Sequence, residues 1–314
     1  MAMDEDRIKK LRSMVESGEM SEDLFDEIME RWHVNDSENE KIDMGNPKEE
    51  PKTPRSKKIK VSGRGQLSAV YSEELSVSGS LAIEGSVDSN NIDINGSCKV
   101  EEDVISSGTI DSSGFISIGR DLFAKDIDCS GGLKVDGKIE AGDIDSSGSL
   151  RASSVKCENF DSSGSTRIDE VLHCKTMDTS GKTKAKAVEC EIMKSSGLID
   201  VEIVTAEEIY IAGRIDANEI HARRFEMEIN NSASRIEKLE ADAIEVRLAR
   251  KKFISGSAII NEITCKRAYL ESTISKTIRG DDITIGNDCD IDYVEAKTLK
   301  ISDKARVKEK KIIQ

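Results

Sequence analysis

Apolar and polar residues alternate along most of this chain, in a block that recurs every 15 to 24 residues. The stretch from Val155 to Ser162 is one copy: an apolar residue, a small residue, another apolar residue and a hydroxyl, with polar residues between them. Alternation is the period of a β-strand, and a short repeat of this kind is typical of a solenoid. The fourteen copies begin at Val70, Val87, Val104, Leu122, Ile139, Val155, Leu172, Val188, Val204, Ile220, Leu239, Ile263, Ile278 and Val294.

Each copy belongs to a longer coil that carries three short apolar pairs. In the coil at residues 132–148 the breaks between the pairs fall at Gly137, Gly142 and Gly148. Glycine tolerates the left-handed backbone that a sharp corner needs. Three strands and three corners per coil therefore predict an all-β fold, a three-sided β-helix of about 14 coils over residues 63–305, with neighbouring coils about 4.8 Å apart.

Residues 236–253 also fit a second reading. Ile236, Leu239, Val246 and Phe253 share a heptad pattern, so this stretch could form a helix instead of a strand. The long step from Leu239 to Ile263 predicts an inserted loop near residues 250–253.

Residues 1–33 predict a pair of short helices, and the sequence around Leu11 to Phe25 resembles the SHOCT-type module, a helical pair tied to oligomerisation or docking. Two helices of this size bury too little surface to fold firmly alone, so we expect them to dock on a partner protein. The predicted docking residues are Leu11, Val15, Phe25, Ile28 and Trp32.

Residues 34–62 predict an extended linker, because all three prolines of the chain lie there among charged residues. Its second half is basic, which leaves two interpretations: a solvated linker or peripheral contact with an anionic membrane surface. The basic C-terminal tail, residues 306–314, is either one last strand or a loose end.

The composition narrows the class of protein. The net charge of −15 argues against nucleic-acid binding. The sequence contains no run of 18 apolar residues, so it predicts no transmembrane helix. Residues 1–10 contain no apolar signal segment, so we expect a cytoplasmic location, with membrane association left open. Cys157, Cys174, Cys190 and Cys265 take the small inward position of the repeat, which predicts buried thiols, with a disulfide or metal ladder as the alternative.

The sequence predicts no enzyme, no catalytic residue and no cofactor. The three histidines are His33, His173 and His221, and the last two should lie about 14 Å apart along the axis, too far to share a zinc ion. An acyltransferase-like β-helix enzyme is the least favoured reading, because the strict six-residue repeat of that class is missing.

One outward column of carboxylates is regular enough to examine as a site. One interpretation is purely structural, a solvated corner in which each aspartate bonds nearby backbone N–H groups. The alternative is a ladder of carboxylates that binds cations or a basic partner. Its members are Asp111, Asp128, Asp145, Asp161 and Asp178.

The stretch from Leu75 to Val87, with Gly79 and Gly85 within it, resembles the opening coils of the bactofilin family, and the repeat style continues over about 240 residues. The resemblance implies a right-handed triangular β-helix that joins end to end into cytoskeletal filaments without nucleotide. The chain departs from that family in its longer solenoid, its 16-residue coils and its N-terminal helical module.

The open ends of a β-helix expose unpaired backbone groups and an apolar column, so we expect copies of this chain to stack there. The alternative is a monomeric or small-oligomer adaptor in which the solenoid is a rigid spacer. The predicted polymer interface consists of Leu67, Leu75, Val77, Val294, Leu299 and Ile301.

Overall fold

A computed structural model describes residues 55–249 and 256–313. These residues form 26 β-strands and no helix, and all strand pairs are parallel within one continuous sheet. The described residues therefore form a parallel β-solenoid, which confirms the all-β solenoid predicted from the repeat.

The first half of the solenoid consists of short strands. They are β1 (Ile59–Val61), β2 (Arg64–Leu67), β3 (Val70–Val77), β4 (Ser80–Ile83), β5 (Val87–Ile94), β6 (Ser97–Val100), β7 (Val104–Ser112), β8 (Phe115–Ile118), β9 (Leu122–Cys129), β10 (Gly132–Val135), β11 (Lys138–Glu140), β12 (Asp143–Ser146), β13 (Ser149–Ala152), β14 (Ser154–Lys156), β15 (Asn159–Ser162), β16 (Ser165–Ile168), β17 (Val171–His173) and β18 (Thr176–Thr179).

In the second half each strand runs through the corners, so most of a turn is one long strand. These strands are β19 (Lys182–Ser195), β20 (Leu198–Ile211), β21 (Arg214–Ile229), β22 (Ser234–Leu248), β23 (Ala258–Leu270), β24 (Thr273–Ile285), β25 (Asp290–Ile301) and β26 (Arg306–Ile312).

Between β10 and β18 each turn contributes three strands, and each strand up to β16 pairs with the one three places later. Thus β10 pairs with β13, β11 with β14 and β12 with β15. The solenoid has about 16 turns, two more than the repeat count predicted.

The fourteen repeat starts form one column, as the sequence predicted. Val70 pairs with Val87, and the pairing continues through every copy to Val294, which pairs with Lys310. All fourteen side chains are buried, with at most 3% of their surface exposed. The register of the whole solenoid therefore follows from one apolar position per turn.

The extra turns lie at the two ends, and they correct the predicted boundaries. Ser56 bridges to Ser72 and β1 pairs with β3, so the solenoid begins inside the predicted linker. At the other end the predicted tail forms β26, which pairs with β25.

The helical alternative for residues 236–253 is wrong for the described part of that stretch, because β22 is a strand that pairs on both sides. Strand pairing is favoured over the helix that the local heptad pattern allows, because every inward position of β22 stacks on an apolar neighbour in the adjacent turns. The predicted insertion near residues 250–253 falls outside the described residues.

One corner of the solenoid is a column of glycines whose backbones touch. A Cβ on any of them would lie 1.8–2.0 Å from the carbonyl oxygen of the glycine one turn earlier. None of the described glycines has a φ in the left-handed region between +20° and +160°, so close approach, and not the left-handed backbone we expected, requires glycine here. The column comprises Gly79, Gly96, Gly114, Gly131, Gly148, Gly164, Gly181, Gly197 and Gly213.

We predict that Gly148→Ala destabilises the solenoid, because its Cβ would collide with the Gly131 carbonyl oxygen at 1.8 Å. The expected loss is about 1–3 kcal/mol in the free energy of unfolding, as for other overpacked sites. Gly63→Ala is the matched control, since no atom lies within 4 Å of a Cβ there. Chemical denaturation of both variants checks this, and equal midpoints would contradict the steric account.

Candidate assembly surfaces

The N-terminal rim is the outermost turn of the solenoid before Val70. Within residues 55–249 and 256–313, its strands β1 and β2 pair on one side only, with β3 and β4. Ile59, Val61 and Leu67 are half-buried and pack against the core with their outer sides uncovered by any described residue. Their free backbone groups make this rim an open sheet edge.

The C-terminal rim is formed by the end of β25 and by β26. Leu299, Ile301 and Val307 are half-buried against the core, and among the described strands β26 pairs with β25 alone. Ile312 is 59% exposed, the largest exposure among the large apolar side chains of the described residues. This rim is therefore also an open edge with apolar residues behind it.

The rims correct three of the six predicted interface residues. Leu75 and Val77 are covered by β1, and Val294 is covered by β26, so all three are buried inside the solenoid. Leu67, Leu299 and Ile301 do lie at the rims. The exposed surface is one turn further out than the repeat template suggested.

The same inward columns reach both rims. The column that starts at Ile59 ends at Leu299, and the adjacent column runs from Val61 to Ile301. Both columns are apolar at both ends. If a second copy followed end to end in the same register, each of the two columns would therefore continue across the joint with one apolar residue stacked on another.

The aspartate column predicted from the sequence is in register. Asp111, Asp128, Asp145, Asp161 and Asp178 pair turn by turn on one face. Asp93 pairs with Asp111 and extends the column by one turn. The sequence reading missed Asp93, although its 18-residue spacing from Asp111 matches the longest regular step of the repeat.

The column does not form a chelating cluster. No three His, Cys, Asp or Glu side chains of the described residues converge on a point that could hold a metal ion. The carboxylates stand in a line, one per turn, so each has only its two neighbours. Partial burial, and then the neighbouring charges of Asp145 and Asp178, raise the pKa of Asp161.

The cysteine column contains thiols and no disulfide. All seven cysteines of the chain are free, and Cys157, Cys174 and Cys265 are buried while Cys190 is half-buried. Contact with Cys157 raises the pKa of Cys174 to about 12, and burial raises the pKa of Cys265 to about 12. Protonated thiols of this kind serve as small packing residues and are poor nucleophiles.

The two histidines of the described residues, His173 and His221, lie on the outside and do not meet. His173 contacts Glu189 at 3.3 Å, while His221 lies between Glu219 at 3.2 Å and Glu240 at 3.1 Å. Two surface grooves, of about 580 and 630 Å³, are lined in part by Tyr, Glu and Arg side chains that pair with each other. Neither groove contains a histidine or a nucleophile next to a base.

Some predicted features lie outside the described residues. These include the helical pair with its docking residues Leu11, Val15, Phe25, Ile28 and Trp32. Within residues 55–249 and 256–313, no helix is long and apolar enough to cross a membrane.

Compared with protein-family models, with curated proteins and with solved structures, the chain has no match. The rims and the outward columns must therefore be interpreted from their own geometry.

The Asp column predicts an unusual pH dependence. The folded pKa of Asp161 is raised, so its contribution to stability is present below the unfolded pKa of about 3.9 and is lost as pH rises through the folded value. Asp161→Asn should therefore stabilise the protein at pH 7, by roughly 1 kcal/mol or less at low salt, and have no effect at pH 3.

Asp169→Asn is the control with the opposite sign. Hydrogen bonds from Arg167 at 2.9 Å and Arg151 at 3.3 Å lower the pKa of Asp169. Its contribution is present above the unfolded pKa and lost as pH falls, so removal of this charge should destabilise the protein at pH 7. Thermal unfolding across pH checks both variants, and shifts of the same sign would contradict the assignment.

Proposed function

We propose that this protein is a non-enzymatic cytoskeletal scaffold whose solenoid polymerises end to end into filaments that need no nucleotide. The observation that carries the proposal is the continuity of the apolar columns between the two open rims, Ile59 and Val61 at one end and Leu299 and Ile301 at the other. The resemblance to bactofilins supports the same function and adds a right-handed, three-sided coil to the proposal.

Strand addition supplies the driving force. Each rim presents unpaired N–H and C=O groups along strand edges, and a second rim satisfies them with parallel-sheet hydrogen bonds. Leu299 and Ile301 would lose their remaining exposure against Ile59 and Val61 of the next copy, with each fully buried aliphatic side chain contributing about 1.5–3 kcal/mol.

The N-terminal segment has a separate role in this proposal. The helical pair, residues 1–33, recruits a partner protein, so that a filament displays many docking modules in the cytoplasm. The basic second half of the predicted linker, which includes Arg55, Lys57, Lys58 and Lys60 at the first turn of the solenoid, supplies peripheral contact with an anionic membrane surface. Because Ser56 and β1 belong to the solenoid, a deletion that isolates this role should remove residues 1–53 and no more.

A monomeric adaptor with a rigid solenoid spacer is the second candidate, and Lys310 favours it. This lysine takes the inward column position that Val294 holds one turn earlier. An inward-pointing charge at a sheet edge is a common way to block edge-to-edge association.

We predict that Leu299→Glu abolishes polymers, because it places a carboxylate in the apolar column at the rim. Ile203→Glu is the matched control, since Ile203 is 43% exposed on the side of the solenoid, far from either rim. Negative-stain microscopy and sedimentation of the full chain provide the measurement, with circular dichroism to verify folding.

The two candidates differ in how mass depends on concentration. The filament proposal expects polymers of wild type and Ile203→Glu that dissociate on dilution. A constant monomeric mass of the wild type over a hundredfold dilution, in all salts tried, would favour the adaptor.

A further inference from the structure

Charge is distributed unevenly along the solenoid, and both rims are basic. Residues 55–72 contain five Lys or Arg and no Asp or Glu, and residues 298–313 contain six Lys or Arg and two acids. Between them, residues 73–297 contain 43 Asp or Glu and 27 Lys or Arg. A protein of net charge −15 has therefore concentrated positive charge at its two ends.

Several of these rim cations form no ion pair within the part of the chain that the structure describes. Arg55 pairs with Asp88 at 2.6 Å, and Lys311 pairs with Glu295 at 2.9 Å. Among the described residues, by contrast, no acid forms an ion pair with Lys60, Arg64 or Lys300. The same holds for Lys304 and Arg306, which are exposed on the C-terminal rim.

The columns bring these cations together when rims meet. Lys60 begins the outward column that carries the aspartates, and Lys300 ends it. Head-to-tail continuation thus places Lys300 directly over Lys60, about one turn spacing apart. Because both rims are basic, head-to-head and tail-to-tail contacts also oppose like charges.

Like charges directly opposite each other weaken strand pairing. Two unit charges about 5 Å apart in water reduce an association constant roughly fourfold per pair, and less in salt. The apolar columns favour the joint while the cations oppose it. The association constant of such a joint therefore rises when an anion neutralises the cations.

We propose that the joint between two copies is a binding site for a soluble multivalent phosphate anion, which bridges Lys60 and Arg64 of one copy and Lys300 and Lys304 of the next. This inference rests on the proposed end-to-end assembly, and it adds that the anion controls it. Phosphate suits lysine and arginine because several oxygens accept hydrogen bonds from both sides of the joint. A bilayer surface does not fit, since the cations are distributed around a narrow joint between two rods.

The test uses the full chain and short-chain inorganic polyphosphate. Binding is measured by fluorescence anisotropy of labelled polyphosphate at protein concentrations below and above the onset of assembly, so that the separate rims and the joint are both probed. Assembly is measured by sedimentation. The rim variant is Lys60→Gln with Lys300→Gln. Its matched control is Lys156→Gln with Lys182→Gln, two exposed lysines in the body of the solenoid that form no ion pair with the described residues.

Wild type and the control should bind polyphosphate alike, and the rim variant roughly tenfold more weakly. At low salt, wild type should need polyphosphate or added NaCl to assemble, whereas the rim variant should assemble with neither. Assembly of wild type that is strongest at low salt without polyphosphate would overturn the inference and leave the filament proposal intact. Equal binding by the rim and control variants would also overturn it.

Two further outcomes separate the proposals. Rim-dependent polyphosphate binding without any assembly would contradict the filament function while retaining the anion site on each rim. Binding to phosphatidylglycerol vesicles through Lys60 and Lys300, with no binding to polyphosphate, would overturn the soluble anion as the ligand.

Discussion

Every turn of this solenoid is held in place by the turns before and after it, through inward side chains that stack in unbroken columns. A column can hold only residues that pack on their neighbours about 4.8 Å away, so the inside is restricted to aliphatic, small and a few hydroxyl residues. Phe160 and Phe225 are the two largest fully buried side chains, and both belong to the column that runs from Ile59 to Leu299. The thin core explains how a chain of 4% aromatic residues folds over 250 positions.

The outside of the solenoid follows different rules, because an outward column carries no packing constraint. The column between Lys60 and Lys300 contains aspartates in its first half and Lys194, Tyr210, Glu226 and Tyr269 in its second. A surface function of this solenoid therefore depends on which charged side chain each turn contributes to an outward column. Both kinds of side chain are exposed together at the two rims, because each rim presents the end of an apolar column and the charged residues around it.

The positions of the inward side chains could be predicted from the sequence, whereas the outward columns and the rims could be predicted only in part. Fourteen apolar positions gave the register of the solenoid because each copy satisfies the same packing constraint. The pattern does not predict the first turn, because Ser56 and β1 lie among lysines that obscure the repeat. It does not decide whether β26 forms, because Lys310 breaks the apolar column. The contact between stacked glycine backbones, such as Gly131 and Gly148, depends on three-dimensional spacing that no local pattern encodes.

The candidate surfaces were predicted less well than the fold, for a related reason. Leu75, Val77 and Val294 match the template as well as any rim residue does, so the sequence could not tell an inner turn from an outer one. That distinction requires knowing where pairing stops. The aspartate column was predicted from its spacing, yet its place between Lys60 and Lys300 emerged only from the register.

Amide hydrogen exchange of the full chain, measured at low and high protein concentration under assembly conditions, tests the central claim most directly. The account predicts that β1 and residues 298–301 become protected as concentration rises, while strands in the body, such as β15, keep the same slow exchange. Rim exchange that is independent of concentration, or rims already protected in the monomer, would contradict it.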